Sequence, residues 1–361
     1  MDLDTEMEAW ISLSLAPGLS DGNFRRLLIA FGGPNQILRA SRGALLSVVP
    51  ARAADAVSSP ASLEALRAVG VWLDDLNNRI LTFADSAYPQ ALLQIPDPPP
   101  VLYVKGRAEL LNNASFAIVG SRNATQQGQA HAESFARVLS DAGLTIVSGL
   151  ALGIDAAAHR GGIAGASSSI GVVGTGLDVV YPARNRDLAH ALAQAGCIIS
   201  EFALGTGPAA GNFPRRNRLI SGLARGCLVV EAALSSGSLI TARMANEQGR
   251  DVFAMPGSIH SPLAKGCHTL IKQGAKLVEA ADDILLELGL GPARMTHEVG
   301  ARPAGRRPDR VLDALGFDPC DIDTLCARSG LSAEAAAALL TQWEIEGVIE
   351  SLPGGRYQRV R

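Results

Sequence analysis

Glycines, small hydroxyl residues and arginines cluster at a few short loops of this sequence, and those are the residue types that hold phosphate. Gly120-Ser121-Arg122-Asn123-Ala124-Thr125 follows the apolar run FAIV and precedes a helical stretch that begins near Gln127. Ser121 and Thr125 can hydrogen-bond phosphate oxygens, and Arg122 offers a planar fork that grips one phosphate through two N–H groups. The spacing matches neither GxGxxG nor the Walker GK[ST] loop. The same residues therefore also fit a plain strand-to-helix turn with a surface arginine.

Three further loops repeat the theme: Ser148-Gly149-Leu150-Ala151, Gly174-Thr175-Gly176-Leu177-Asp178 and Ser235-Ser236-Gly237-Ser238. Each follows an apolar run and could cradle phosphate with backbone amides, although singly each is an ordinary turn; four on one rim point to a site. The densest basic run is Phe213-Pro214-Arg215-Arg216-Asn217-Arg218, where an aromatic precedes three arginines and an asparagine. Charge for a backbone and a ring for exposed bases suit a single nucleic-acid strand, while a solvated helix start is the plainer alternative.

The carboxylates suggest support more than catalysis. Asp155 and His159 stand four apart in GIDAAAH, but no third ligand appears at metal spacing, so an N-cap with an i,i+4 contact is expected, and no metal. Glu201 and Glu231 end strands and should bind backbone amides. There is no GxSxG elbow and no nucleophile, base and acid set, so neither a catalytic residue nor a cofactor is expected.

Elements that would carry these loops are legible in the pattern. FAIVG, LTIVSG, IGVVGTG, CIISEF, CLVVEA and DVFAMPG are six short apolar runs alternating with helical stretches. That order predicts an α/β fold with a doubly wound, mostly parallel sheet, whose ligands gather beyond the carboxyl ends of the strands. Before it, residues 1–80 read as a small domain of short amphipathic helices, and the sheet domain spans 81–290. GPARMTHEVGARPAGRRP makes 291–308 a flexible linker. In 309–361, three helical segments and two strands around Pro-Gly-Gly form a winged helix. Its presumed recognition helix, Ser332 to Gly347, has no Lys or Arg and three glutamates; only the wing, with Arg356, Arg359 and Arg361, is basic.

Bulk composition narrows the classes. Aromatics are 4% against 47% hydrophobic residues, so the core is aliphatic, and a net charge of −3 makes any nucleic-acid site local. Five scattered cysteines without a CxxC pair read as reduced thiols. No long apolar run and an acidic first decapeptide argue for a cytoplasmic protein without membrane contact.

Taken in order, GSRNAT, IVSGLALGID, GTGLDVVYPARN, SEF, FPRRNRLISGL, VVEAALSSGSLITA and EQGRDVFAMPGS with KGCHTLI strongly resemble the DNA-processing protein A family, also called Smf, from about Tyr88 to Leu288. The resemblance implies an extended Rossmann-like domain that binds single-stranded DNA, self-associates and hands the strand to the recombinase RecA during natural transformation. Arg122 matches the family's GSR arginine, and Arg215, Arg216 and Arg218 match its FPxRNR run. The N-terminal helices resemble a sterile-alpha-motif or helix-hairpin-helix-like domain. A homodimer is expected through CHTLIKQGAKLV, with Leu270, Ile271, Leu277 and Val278 at the interface. From another class, related Rossmann-like proteins hydrolyse nucleoside monophosphates with a PGGxGTxxE loop; here SSGSLITA stands in its place, without the glutamate.

Overall fold

The structure, a computed structural model, describes residues 3–59, 61–291 and 310–360. Six short helices open the chain: α1 (Thr5–Ser14), α2 (Asp21–Phe31), α3 (Pro34–Arg39), α4 (Arg42–Leu46), α5 (Ala51–Val57) and α6 (Leu63–Trp72). Polar caps start four of them; Asp4, Ser20, Ser41 and Ser62 accept from the first-turn amides of α1, α2, α4 and α6. Their apolar faces close on Trp10, Ile11, Leu27 and Ile37, together with Ile80, Val101 and Tyr103 from the edge of the sheet. The helical unit is thus packed on the main domain through a shared core.

Nine strands follow in one sheet: β1 (Asn78–Thr82), β2 (Val101–Gly106), β3 (Ser115–Val119), β4 (Thr145–Ser148), β5 (Ser169–Val172), β6 (Cys197–Ser200), β7 (Gly226–Val229), β8 (Asp251–Ala254) and β9 (Lys276–Leu277). Their order is β1-β2-β6-β5-β4-β3-β7-β8-β9. From β6 to β9 every neighbour is parallel, while β1 and β2 are antiparallel. The six apolar runs are β3 to β8, and the doubly wound expectation holds. The sheet begins at Asn78, slightly before the expected boundary at 81.

Helices α7 (Gln126–Asp141), α8 (Ile154–Ala164) and α13 (Ala281–Glu287) cover one face. Helices α10 (Asn212–Leu223), α11 (Ser238–Glu247) and α12 (Lys265–Lys272) cover the other, and α9 (Arg186–Ala195) packs beside α8. Strand residues alternate between the layers, Phe116 and Ile118 on one side and Ala117 and Val119 on the other. Burial on both faces explains why each strand reads as a continuous apolar run. The chain works outward from β3 to β6, then returns to place β7 on the other side of β3. The carboxyl ends of β3 and β7 therefore form the switch point, where an open sheet leaves a crevice.

A separate core ties α14 (Arg310–Leu315), α15 (Ile322–Ser329) and α16 (Ala333–Ile345) to β10 (Cys320–Asp321), β11 (Ile349–Leu352) and β12 (Arg356–Arg359). This is the expected winged helix, with β10 added to the two foreseen strands. Two hydrogen bonds join it to α7: the Gln126 amide donates to Glu350 at 3.0 Å, and Gln358 donates to Gln127 at 2.7 Å. Except for Gly291 the expected linker lies outside the described residues, as does Arg361. Among the described residues no helix is long and apolar enough to cross a membrane.

Candidate nucleic-acid interface

The crevice at the switch point is a pocket of about 580 Å³ between the loop after β3, the loop after β7 and α10. Ser121, Arg122 and Asn123 come from the first loop, Ser235 to Ser238 from the second, and Phe213, Arg216, Asn217 and Ile220 from the helix. The first loop has little freedom. Ser121 N–H donates to the Glu231 carbonyl at 2.7 Å, and the Glu231 carboxylate accepts from Thr125 N–H and, at 2.6 Å, from its hydroxyl. Thr125 also caps α7 by accepting from Gly128 N–H. Its hydroxyl is thereby committed to the frame, and Thr125 is outside the pocket lining. Arg122 is exposed, its guanidinium 5.4 Å from the Phe213 ring centre.

Arg216 is the buried counterpart, 4% exposed. Its Nη1 donates to the carbonyl of Gly149 at 2.6 Å and to that of Val172, while Nε has no partner. Burial lowers its pKa to about 10, Asp155 opposing the shift, so the guanidinium stays charged at neutral pH. Asp155 is the carboxylate among the pocket-lining residues. Beside it, α11 begins at Ser238 with its first residues lining the crevice, and a helix N-terminus favours an anion.

The loop after β4 holds Arg216 in place. Leu150 sits at φ 56, a left-handed conformation rare for a branched side chain. Three polar side chains fix it there. Asp155 accepts from the Gly149 amide at 3.1 Å, His159 Nε2 accepts from the Leu150 amide at 3.2 Å, and Asn185 donates to the Leu150 carbonyl at 2.9 Å. Ser169 uses its hydroxyl hydrogen on the Ile146 carbonyl, so His159 Nδ1 carries the proton it shares with Ser169. Burial drives His159 down to about 3 and pushes Asp155 up. The expected N-cap and Asp155–His159 contact are not what forms. Gly153 is the N-cap residue of α8, and the two side chains each hold the neighbouring turn.

Of the sixteen residues expected at the interface, the pocket gathers Ser121, Arg122, Asn123, Arg216, Asn217, Ser236, Gly237 and Ser238. The others stand behind it or apart from it. Ser148 is buried and donates to the Ile118 carbonyl, and a side chain on Gly149 would meet the Arg216 guanidinium at 2.3 Å. Gly174 backs the Phe213 ring, Thr175 donates to the Val179 carbonyl, and Gly176 lies against the Ala203 carbonyl. Apart from Ala151, which lines the pocket, these loops seat its side chains from behind.

Arg215 and Arg218 lie on the other face of α10. Arg218 reaches Glu201 at 2.6 Å and Asp21 at 3.1 Å; Arg215 reaches the same carboxylates at 2.9 and 2.7 Å. Asp21 opens α2, so this cluster joins the helical unit to the sheet. Burial raises the Glu201 pKa against the pull of both arginines. Sequence reasoning missed the cluster because Asp21 is nearly two hundred positions away and nothing local marks it; it also missed Ile220, Ile240 and Thr241 as pocket walls.

A buried arginine, an exposed arginine and a helix N-terminus at the switch point of an open sheet are groups suited to an anionic ligand. The chain belongs to the DNA recombination-mediator protein A family, whose model matches residues 79–289, and a DprA winged helix domain matches 295–355. Protein Smf of Escherichia coli is 40% identical over 298 residues, covering 80% of this chain and 79% of its own. The X-ray structure of DNA processing protein A from Streptococcus pneumoniae superposes with a TM-score of 0.68 at 36% identity, over 80% of this chain and 99% of that one. DNA processing protein A from Helicobacter pylori, solved for its single-stranded DNA binding mode, gives 0.53 at 30% identity over 58% and 95%.

Proposed function

We propose that this protein binds single-stranded DNA in the switch-point pocket and loads RecA onto that strand during natural transformation, in the cytoplasm, as a homodimer and without catalysis of its own. The observation that carries the reading is that exposed Arg122 and buried Arg216 line one pocket together with the first residues of α11, in a chain of net charge −3. Positive charge is concentrated where a backbone phosphate would sit, and Arg122 is held at the mouth by the Phe213 ring it covers. The single-stranded DNA binding of the Helicobacter pylori relative agrees with this assignment. Against a nucleotide hydrolase, SSGSLITA lacks the glutamate of the hydrolase loop, and the carboxylate that lines the pocket, Asp155, is engaged with the Gly149 amide.

The test is fluorescence anisotropy with a labelled, unstructured oligonucleotide, alongside a nucleoside monophosphate hydrolysis assay and RecA filament assembly on coated strands. Tight binding of the single strand, weaker binding of duplex, faster RecA assembly and no hydrolysis are expected. Turnover of a nucleotide, or no discrimination between strand and duplex, overturns the reading.

A further inference from the structure

Outside the pocket the aromatic surface continues. Tyr181 packs on Phe213 with ring centres 5.7 Å apart and planes at 36°, and Arg122 covers the same Phe213 ring. Phe213 is also backed by Gly174, where an added Cβ would stand 3.1 Å from its ring, and is only partly exposed. Tyr181 is the open end of this ladder, 43% exposed, and an exposed large aromatic at the edge of an anion pocket is a ready surface for a base. Three and five residues on stand Arg184 and Arg186, both exposed and neither in an ion pair among the described residues. Arg186 is the first residue of α9, where the dipole disfavours a cation, so the helix gains nothing from it there.

We propose that a single strand leaves the pocket across Tyr181, which stacks the base of an outer nucleotide, and that Arg184 and Arg186 receive the phosphates beyond it. The proposal rests on the single-strand reading above. The spacing suits a flexible strand. The pocket fixes one phosphate, Phe213 is occupied by Arg122 and Tyr181, and the next unstacked base meets the exposed tyrosine before the chain reaches the two arginines. Stacking of this kind is indifferent to base identity, as a protein taking strands of any sequence requires.

The test uses the full chain and oligothymidylates of about 4 and about 16 nucleotides, the range of site sizes for such grooves. For the longer strand, Tyr181→Ala is expected to weaken binding about tenfold, ~1.4 kcal/mol, with Tyr181→Phe restoring it. The shorter strand, which fills the pocket alone, is expected to bind Tyr181→Ala as it binds wild type. A long strand stripped of bases at its outer positions should not distinguish wild type from Tyr181→Ala, since there is no base to stack. The pair Arg184→Ala, Arg186→Ala should lower the salt slope for the longer strand by about 0.7 per lost contact. Unchanged affinity of Tyr181→Ala for the longer strand, or an equal loss on the base-stripped one, overturns the ladder while the single-strand reading stands. Failure of the wild type to bind either strand brings down that reading as well.

Discussion

His159 and Arg218 show how much of this site is held by groups that never face the ligand. Folding lowers the His159 pKa from 6.5 to about 3, because burial desolvates the charged ring and the Arg216 cation lies nearby, and the neutral ring accepts the Leu150 amide. In the unfolded chain the ring takes up a proton below its ordinary value, so this contribution is complete above pH 6.5 and is lost as pH falls toward 3. Asp155 works in the opposite sense: its raised pKa gives a contribution present below 3.8 that fades as pH rises. Thermal melts of wild type and His159→Gln across that range isolate the histidine, and their difference should shrink as pH falls; a constant offset would contradict it. Arg218→Ala leaves Glu201, 1% exposed, without its closer cation and should cost about 3 to 5 kcal/mol in denaturant unfolding. Glu201→Gln in the same chain should recover part of that loss. At this scale the sequence was partly legible: Arg122, Arg216 and the Ser236 to Ser238 turn are where their types and spacing implied. Arg215 and Arg218 were not, because a helical run of arginines points its neighbours to different sides and the carboxylates that claim two of them come from distant chain.

Among the elements, the six central strands could be read because burial on both faces makes them uniformly apolar. The edges could not. β1 opens with Asn78 and Arg79, β2 follows the proline run 98–100, and β9 has only two residues, too short for any period to show. The loops were legible as loops but not in their roles, since a glycine that cradles phosphate and one that seats an arginine look alike in one sequence. Gly153 makes the distinction physical: at φ 74, with an added Cβ 2.3 Å from the Ser121 carbonyl, it locks the turn into α8 against the pocket loop. Gly153→Ala should therefore cost more than the ~1 kcal/mol of an ordinary helix glycine change and weaken oligonucleotide binding with it. The winged helix is a different kind of element, with its own core and two hydrogen bonds to α7. A chain ending at residue 291 should unfold cooperatively with the full chain's midpoint and bind the single strand within about tenfold, ~1.4 kcal/mol. A larger drop would make the wing part of the main site.

For the whole molecule the open matter is self-association, which the site itself motivates: two modest strand sites on one particle make the second contact intramolecular, and avidity can exceed either affinity by about a hundredfold. The segment expected to supply the contact divides in the structure. Val278 is 1% exposed and lies in the core on one face of the sheet, Leu270 and Ile271 are half-buried against the core on the other, and Leu277 is 49% exposed. Leu277 lies on β9, the last strand in the sheet order, with Leu286 and Leu290 also exposed nearby in sequence. An edge strand with bare apolar side chains is a surface that a second copy can cover, and a two-fold pairing is the commonest way to close it. The four residues therefore separate by experiment. Leu277→Arg should leave a folded monomer in sedimentation equilibrium, with single-strand affinity reduced and the melting midpoint nearly unchanged. Ile271→Glu should chiefly destabilise, because that side chain rests on the sheet's own core. A wild-type chain that stays monomeric at micromolar concentration would end the dimer reading, and a Leu277→Arg chain that still dimerises would move the interface elsewhere; either leaves β9 an ordinary solvent edge.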